Sequence, residues 1–228
     1  MKDMVLRSNN LIVSYGCINP QYEALLRRQR LSLQRIGWDM KDYWWRFDKN
    51  YPDHLEKPYI FKTNILYGLY NDTNYKNILW VDSSFTFNKS PQALFDRIDR
   101  DGYYVSVNGF NCAQSVNDRC LMLMNFSRSQ AELIPEVASG CVGFNLESEN
   151  GINLLKLWKE EMERGCSIGS RTYNPAESSD KRFLFHRQDQ SVLSLCMKRL
   201  SLTPGGFNEF WSYEGNEKIM TCRGGKAE

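Results

Sequence analysis

Asn77–Ile78–Leu79–Trp80–Val81–Asp82–Ser83–Ser84 decides how the rest of this chain is read. The apolar run Ile78 to Val81 is long enough for one buried strand, and it stops at a carboxylate followed by two hydroxyls. Its letters place it inside a sheet, and Asp82 then falls at the strand's carboxyl end. In open α/β sheets that edge is where ligands bind. A carboxylate there can hold a ribose hydroxyl or a divalent metal carrying a phosphate, and it can equally cap a turn.

Outward from that strand the chain alternates strand and helix. Asn10–Leu11–Ile12–Val13–Ser14–Tyr15–Gly16 is an apolar run ending in glycine. Leu25, Leu26, Leu31, Leu33 and Ile36 then recur at helical spacing among Arg27, Arg28, Arg30 and Arg35, and Gly37 suits the C-cap. Trp38 to Lys57 reads as a polar, aromatic loop with a turn at Tyr51–Pro52–Asp53. Pro58 suits the first turn of a helix over Tyr59 to Tyr70, which precedes the Asp82 strand. A short helix, Gln92 to Ile98, and a strand, Gly102 to Val107, follow. Leu121 to Met124 fits either element. Val137 to Leu146 reads as a glycine-punctuated strand. Helices follow from Ile152 to before Gly165 and from Asp189 to Leu200, separated by a polar loop over Ser167 to Lys181. This order predicts a three-layer α/β/α sandwich with a mostly parallel central sheet, Rossmann-like in kind. A single domain over 1–228 is expected, with about 201–228 a less regular C-terminal extension.

Composition narrows the function classes. With 42% hydrophobic and 25% charged residues the chain is of ordinary globular type. A net charge of +2 does not demand a polyanionic partner. The seven cysteines form no C-x-x-C pair, which points to a reducing compartment, and with two histidines zinc ligation lacks a spacing. No apolar run approaches transmembrane length and no signal segment is visible, so a cytoplasmic location is expected. P-loop, Gly-x-Gly-x-x-Gly and Gly-x-Ser-x-Gly motifs are all absent.

Polar residues at strand ends and helix starts remain. Lys62 lies on the helix before the Asp82 strand and can lean toward the same edge or face solvent. Ser139, Gly140 and Gly143 can present backbone N–H groups to a ligand or form a tight bend. Phe185–His186–Arg187–Gln188–Asp189–Gln190 opens the last helix with an imidazole, a carboxylate and an amide. The macrodipole favours negative charge at Asp189, so a structural role is open there too.

Together these stretches resemble the nucleotide-sugar glycosyltransferases of the GT-A fold, in particular the glycogenin- and galactosyltransferase-like group. Leu79–Trp80–Val81–Asp82–Ser83–Ser84 is similar to their strand ending in Asp-x-Asp, and Lys62 matches a basic residue on the preceding helix. Ser139–Gly140–Cys141–Val142–Gly143–Phe144–Asn145 resembles their small-residue strand, and Asp189–Gln190 an Asp-Gln pair opening a late helix. The likeness spans about residues 10 to 200.

The resemblance implies transfer of a hexosyl or pentosyl group from a nucleoside-diphosphate sugar, a UDP-sugar first, to a hydroxyl acceptor. Asp82, Ser83, Ser84 and Lys62 would hold the donor with Tyr15, Gly16, Ser139 and Gly140. Arg223 and Lys226, from a glycine-rich basic tail, would fold over the diphosphate. Asp189 and Gln190 would be the catalytic pair at the transferred sugar or the acceptor. A divalent metal, Mn²⁺ or Mg²⁺, would be held by Asp82, Ser84 and His186. Ser84 stands where the family has its second carboxylate, and a neutral hydroxyl is a weaker ligand, so metal dependence is open. The acceptor could be a glycan or lipopolysaccharide precursor, a protein, or modified nucleic acid. Arg27, Arg28, Arg30 and Arg35 near Trp38, Trp44 and Trp45 are compatible with the last. Ser84 also leaves room for a different class, a GT-A-like module that binds nucleotide or glycan without transfer. An unrelated hydrolase or nucleotidyltransferase is a third possibility.

Overall fold

Side chains on a strand alternate between its two faces, and here that alternation sorts the apolar residues into two cores. The computed structural model describes residues 9–49, 56–72 and 74–222. Its first half runs β1 (Asn10–Cys17), α1 (Gln21–Arg35), β2 (Tyr43–Asp48), α2 (Ile60–Asp72), β3 (Asn77–Val81), β4 (Phe85–Phe87), α3 (Gln92–Asp101), β5 (Tyr103–Tyr104) and β6 (Val107–Asn111). Three short helices follow, α4 (Cys112–Ser115), α5 (Asp118–Leu123) and α6 (Arg128–Glu132), and then β7 (Pro135–Val137) and β8 (Cys141–Asn145). The chain continues through α7 (Glu149–Glu163), α8 (Asp189–Arg199), β9 (Trp211–Ser212) and β10 (Met220–Cys222).

The central sheet has five strands in the order β2-β1-β3-β8-β5. All but β8 run in one direction, so the sheet is mostly parallel, as the strand–helix order predicted. Leu11, Val13 and Tyr15 of β1, with Ile78 and Trp80 of β3, face one core that α2, α7 and α8 cover with Leu66, Leu154, Trp158 and Val192. Ile12, Leu79 and Val81 face the other, closed by Leu33 of α1 and Leu94, Phe95 and Ile98 of α3. Helices on both faces make the three layers. A two-stranded sheet (β6-β7) and a three-stranded one (β4-β10-β9) lie beyond the main sheet.

Several local readings are corrected. Residues 43–48 form an edge strand, β2, paired parallel with β1, where a loop was expected. Tyr43–Trp44–Trp45–Arg46–Phe47–Asp48 is only half buried, so its pattern lacks the apolar run of a central strand. The turn expected at Tyr51–Pro52–Asp53 lies outside the described residues. In α1, Leu31 is exposed while polar Gln29 and Ser32 are buried. Gln29 takes the inward position because its Oε1 accepts from Ser14 Oγ (2.5 Å) and Tyr43 Oη (2.8 Å), and Ser32 Oγ accepts from Phe87 N (2.9 Å). α1 ends as expected: Gly37, at φ 74°, donates N–H to Gln34 O, and Trp38 N–H reaches Leu33 O. Leu121 to Leu123 are helical in α5. Ser139 and Gly140 form the bend between β7 and β8, not part of one long strand.

Residues 201–222 have little regular structure, but they pack on the second core. Trp211 and Met220 are buried in the second core, and β10 pairs antiparallel with β4 just after the Asp82 motif.

Gly143 of β8 lies under α3, where a Cβ would collide with the end of Ile98. Gly143→Ala should therefore destabilise the protein by about 1–3 kcal/mol. In an Ile98→Ala background the same change should cost markedly less. Urea denaturation of the four-protein cycle checks this, and strict additivity would refute the packing account.

Candidate active site

A lysine is seldom fully buried unless its charge is paired, and Lys62 shows how pairing is done here. It lies in the first turn of α2 and is 1% exposed. Its Nζ donates to Asp189 Oδ2 at 2.8 Å and to Ser139 O at 2.9 Å, and lies 3.2 Å from Asp82 Oδ1. The rings of Trp80 and Tyr59 flank it, with centroids at 5.3 and 5.6 Å. Burial works to lower the ammonium pKa, but the charges of Asp189 and then Asp82 outweigh it and raise the value to about 12. Its stabilising contribution is therefore complete below the ordinary 10.5 and is lost as pH rises through about 12.

Asp82 follows the last residue of β3, as the sequence suggested. Its N–H donates to Gly140 O (2.8 Å), and its carbonyl accepts from the buried Gln29 amide (3.0 Å), so the backbone is held from both sides. Trp80 Nε1 donates to Asp82 Oδ1 at 2.7 Å. Gly140 stands beside Oδ2, where a Cβ would come within 3.2 Å. The missing side chain leaves room beside the carboxylate, which is 38% exposed.

Asp189 is the first residue of α8, and Trp158 Nε1 donates to its carbonyl (3.1 Å). Gln188, just before it, has φ 54°, and Tyr59, just before α2, has φ 63°. Both are non-glycine residues in the left-handed region, and both immediately precede a helix that delivers one member of the ion cluster.

Two cavities meet at Asp82. The larger, about 320 Å³, is walled by Tyr15, Tyr22, Phe61 and Trp80, and Gly16, Ser83 and Ser84 also line it. The smaller, about 200 Å³, is polar and lined by Lys62, Ser139, Gly140, Asp189 and Gln190. Asp82, Ser84, Tyr59 and Arg171 border both. The described residues expected to hold the donor, and the expected catalytic pair, thus converge on one contiguous cleft. Gly16 owes its identity to packing as well, since a Cβ there would lie 2.6 Å from Tyr22 Cβ. Gln190 Oε1 accepts from Ser139 N (3.3 Å), while its buried Nε2 finds no partner among the described residues.

Other assignments do not hold. His186 is fully buried away from both cavities. Its Nδ1 accepts from Asn117 N (3.3 Å), which leaves Nε2 to carry the proton and donate to Cys166 O (3.1 Å). With both nitrogens engaged it cannot ligate a metal; burial lowers its pKa to about 4, so it is a neutral structural group. Arg223 and Lys226 lie outside the described residues. Arg28 does not form a free basic face, because its Nη2 donates to Ser84 O (3.1 Å).

The oxygen atoms around Asp82 bear on the divalent metal that the resemblance implies. Asp82 Oδ1 is already taken by the Trp80 indole and the Lys62 ammonium, and the Ser84 hydroxyl is neutral and lies 3.5 Å from Cys222 Sγ. The ammonium occupies the space between the two aspartates. Among the described residues no group of three or more His, Cys, Asp or Glu could hold a metal ion. This donor set does not fit Mn²⁺ or Mg²⁺.

Sequence reasoning missed Tyr59, Arg171, Arg187, Trp211 and Tyr213, all of which line the smaller cavity. Arg171, Trp211 and Tyr213 lie in irregular segments whose sequence carries no periodic signal. Arg187 lies inside the Phe185–Gln190 stretch, where His186 and Asp189 are the more conspicuous ligand types.

The fold is that of the GT-A glycosyltransferases. The apo structure of the bifunctional glycosyltransferase WbbM superimposes with a TM-score of 0.53 and 11% identity, covering 91% of this chain. This chain spans only 40% of WbbM. A glycosyltransferase involved in glycosylation of the major capsid of PBCV-1 gives 0.50 and 9% identity, covering 95% of this chain and 94% of the other. No protein-family model matches the sequence, and no curated protein is significantly similar to it. None of the helices among the described residues is long and apolar enough to cross a membrane.

Lys62→Met would leave buried Asp189 without its cation and should cost about 3–5 kcal/mol by urea denaturation. Adding Asp189→Leu should recover part of that loss, and a double variant less stable than the single would contradict the pairing. For His186 the sign is opposite to that of Lys62. The unfolded state takes up the proton first, so stability falls between pH 6.5 and about 4. The wild-type loss over that range should exceed that of His186→Asn by roughly 3 kcal/mol. Equal pH profiles would show that the imidazole does not titrate in this way.

Proposed function

We propose that this chain is a glycosyltransferase that moves a sugar from a nucleoside-diphosphate sugar, a UDP-sugar in our reading, to an acceptor hydroxyl. The observation that carries this is the buried Lys62 joining Asp82 and Asp189 where an aromatic cavity meets a polar one. The larger cavity has the ring-lined character that suits a nucleoside. The smaller has the carboxylates, amides and hydroxyls that a sugar's own hydroxyls require.

In this reading Asp82 accepts a hydroxyl of the ribose or the sugar through Oδ2. Lys62 contacts no substrate; it positions both carboxylates. Gln190 donates through its unpartnered Nε2 to the transferred sugar, and Asp189 borders the same space. The sugar then lies between Gly140, which gives it room, and the exposed ring of Tyr213, which buried Trp211 braces edge-on at 5.2 Å. An exposed aromatic face of that kind suits stacking of a pyranose, which favours a carbohydrate acceptor over nucleic acid.

Thermal-shift screening with UDP-, GDP- and CMP-sugars should find one nucleotide class that stabilises the protein, with turnover of that donor. Asp82→Asn and Gln190→Leu should each lower that turnover by roughly 10²–10³-fold while circular dichroism stays unchanged. Wild-type turnover in both variants would refute the assigned roles. Nucleotide binding without turnover, whatever the acceptor, would favour a non-catalytic binding module.

A further inference from the structure

The mismatch between this site and a divalent metal raises a charge problem that the residues themselves answer. A nucleoside-diphosphate sugar brings a diphosphate dianion. Lys62 cannot neutralise it, because the ammonium is buried and already bonded to Asp189, Asp82 and the Ser139 carbonyl. Asp82 and Asp189 would repel a diphosphate that entered without another cation.

We propose that Arg171 supplies that cation and binds the donor diphosphate in place of a metal ion, an inference that rests on the donor reading above. Arg171 borders both cavities, at the junction that a diphosphate joining nucleoside to sugar would have to cross. Among the described residues no acid pairs with it. Its Nη1 donates to Tyr59 Oη at 2.9 Å, which ties the guanidinium to a side chain that also borders both cavities. The nearest acid in its own loop, Glu177, is engaged elsewhere, accepting from Ser170 N (2.7 Å) and Asn117 Nδ2 (3.0 Å).

The loop is tied down beside the site. His186 N donates to Ser170 O (2.9 Å), and Gln188 Nε2 to Gly169 O (2.9 Å), so the base of the loop is bonded to the residues just before Asp189. A Cβ at Gly169 would press within 2.6 Å of Glu177 Oε2 and of His186 Cδ2, which keeps that base close. A guanidinium held this way offers paired N–H donors to phosphate oxygens. Arg187 is the other arginine on the smaller cavity, but it lies over the rings of Phe185 (4.7 Å) and Phe110 (5.7 Å) and does not border the nucleoside side.

In the transfer, the bond between the anomeric carbon and the β-phosphate oxygen breaks, and the electron pair stays on that oxygen. The anomeric carbon bonds to the acceptor oxygen, whose proton passes to solvent. Arg171 stabilises the charge gathered on the leaving diphosphate.

Calorimetry with UDP and GDP, each beside its own nucleoside, tests this on wild type, Arg171→Ala and Arg171→Lys, in EDTA and in Mn²⁺. In EDTA the wild type should bind one diphosphate at least tenfold more tightly than its nucleoside. Arg171→Ala should weaken the diphosphate by roughly 10- to 100-fold and leave the nucleoside unchanged, with Arg171→Lys between. Tight diphosphate binding that needs Mn²⁺ and ignores Arg171→Ala would overturn the inference and leave the donor reading intact. If no nucleoside or diphosphate binds the wild type, the donor reading itself fails, and this inference with it.

Discussion

Lys62 is a full charge held out of water, and the structure around the cleft is arranged so that this charge is never unpaired. An isolated ammonium there would carry a desolvation penalty of several kcal/mol. Two carboxylates and a backbone carbonyl offset it, and the partners come from distant parts of the chain: the end of β3, the start of α8 and the bend between β7 and β8. The ion cluster thus works as a geometric constraint. Asp82, Asp189 and Ser139 must all lie within reach of one nitrogen, and that requirement shapes the smaller cavity and, through Asp82, its junction with the larger.

The surrounding residues hold the cluster in place. Trp80 and Trp158 each put an indole N–H on a member of it, from the core beneath. Tyr59 and Gln188 take left-handed backbone where their helices begin. Such conformations persist only where neighbouring structure over-determines them, and they concentrate where side chains must be aimed. Gly140 contributes by absence, since a side chain there would crowd the one Asp82 oxygen that Lys62 and Trp80 leave open.

The walls are built from less regular chain. Trp211, Tyr213 and Cys222 reach the smaller cavity because β10 pairs with β4, directly after the Asp82 motif. Arg171 reaches the cleft because the Gly169–Ser170 backbone is bonded to residues just before α8. The ion cluster thus stands on regular elements at the sheet edge, while Arg171 stands on a loop tethered beside it.

The strand–helix order, the burial of β3 and β1, the sheet-edge position of Asp82 and the helix-start position of Asp189 are all legible in the residue order alone. These follow from local rules, apolar run length and helix periodicity, that act within a dozen residues. Asp82, Lys62, Gly140 and Asp189, which the GT-A resemblance grouped, lie together at one cavity, and each stands at or near an element boundary that the sequence marks. Only the tertiary structure decided that Lys62 is buried and not solvated, since a lysine's letter is the same in both settings and its partners are 20 and 127 residues away. The same holds for His186. Its placement at a helix entrance suggested a ligand, but long-range bonds to Asn117 and Cys166 occupy both of its nitrogens. Arg171, Trp211 and Tyr213 were illegible for the same physical reason: an irregular segment has no period to read, and its place in the cleft is set by contacts made across the fold.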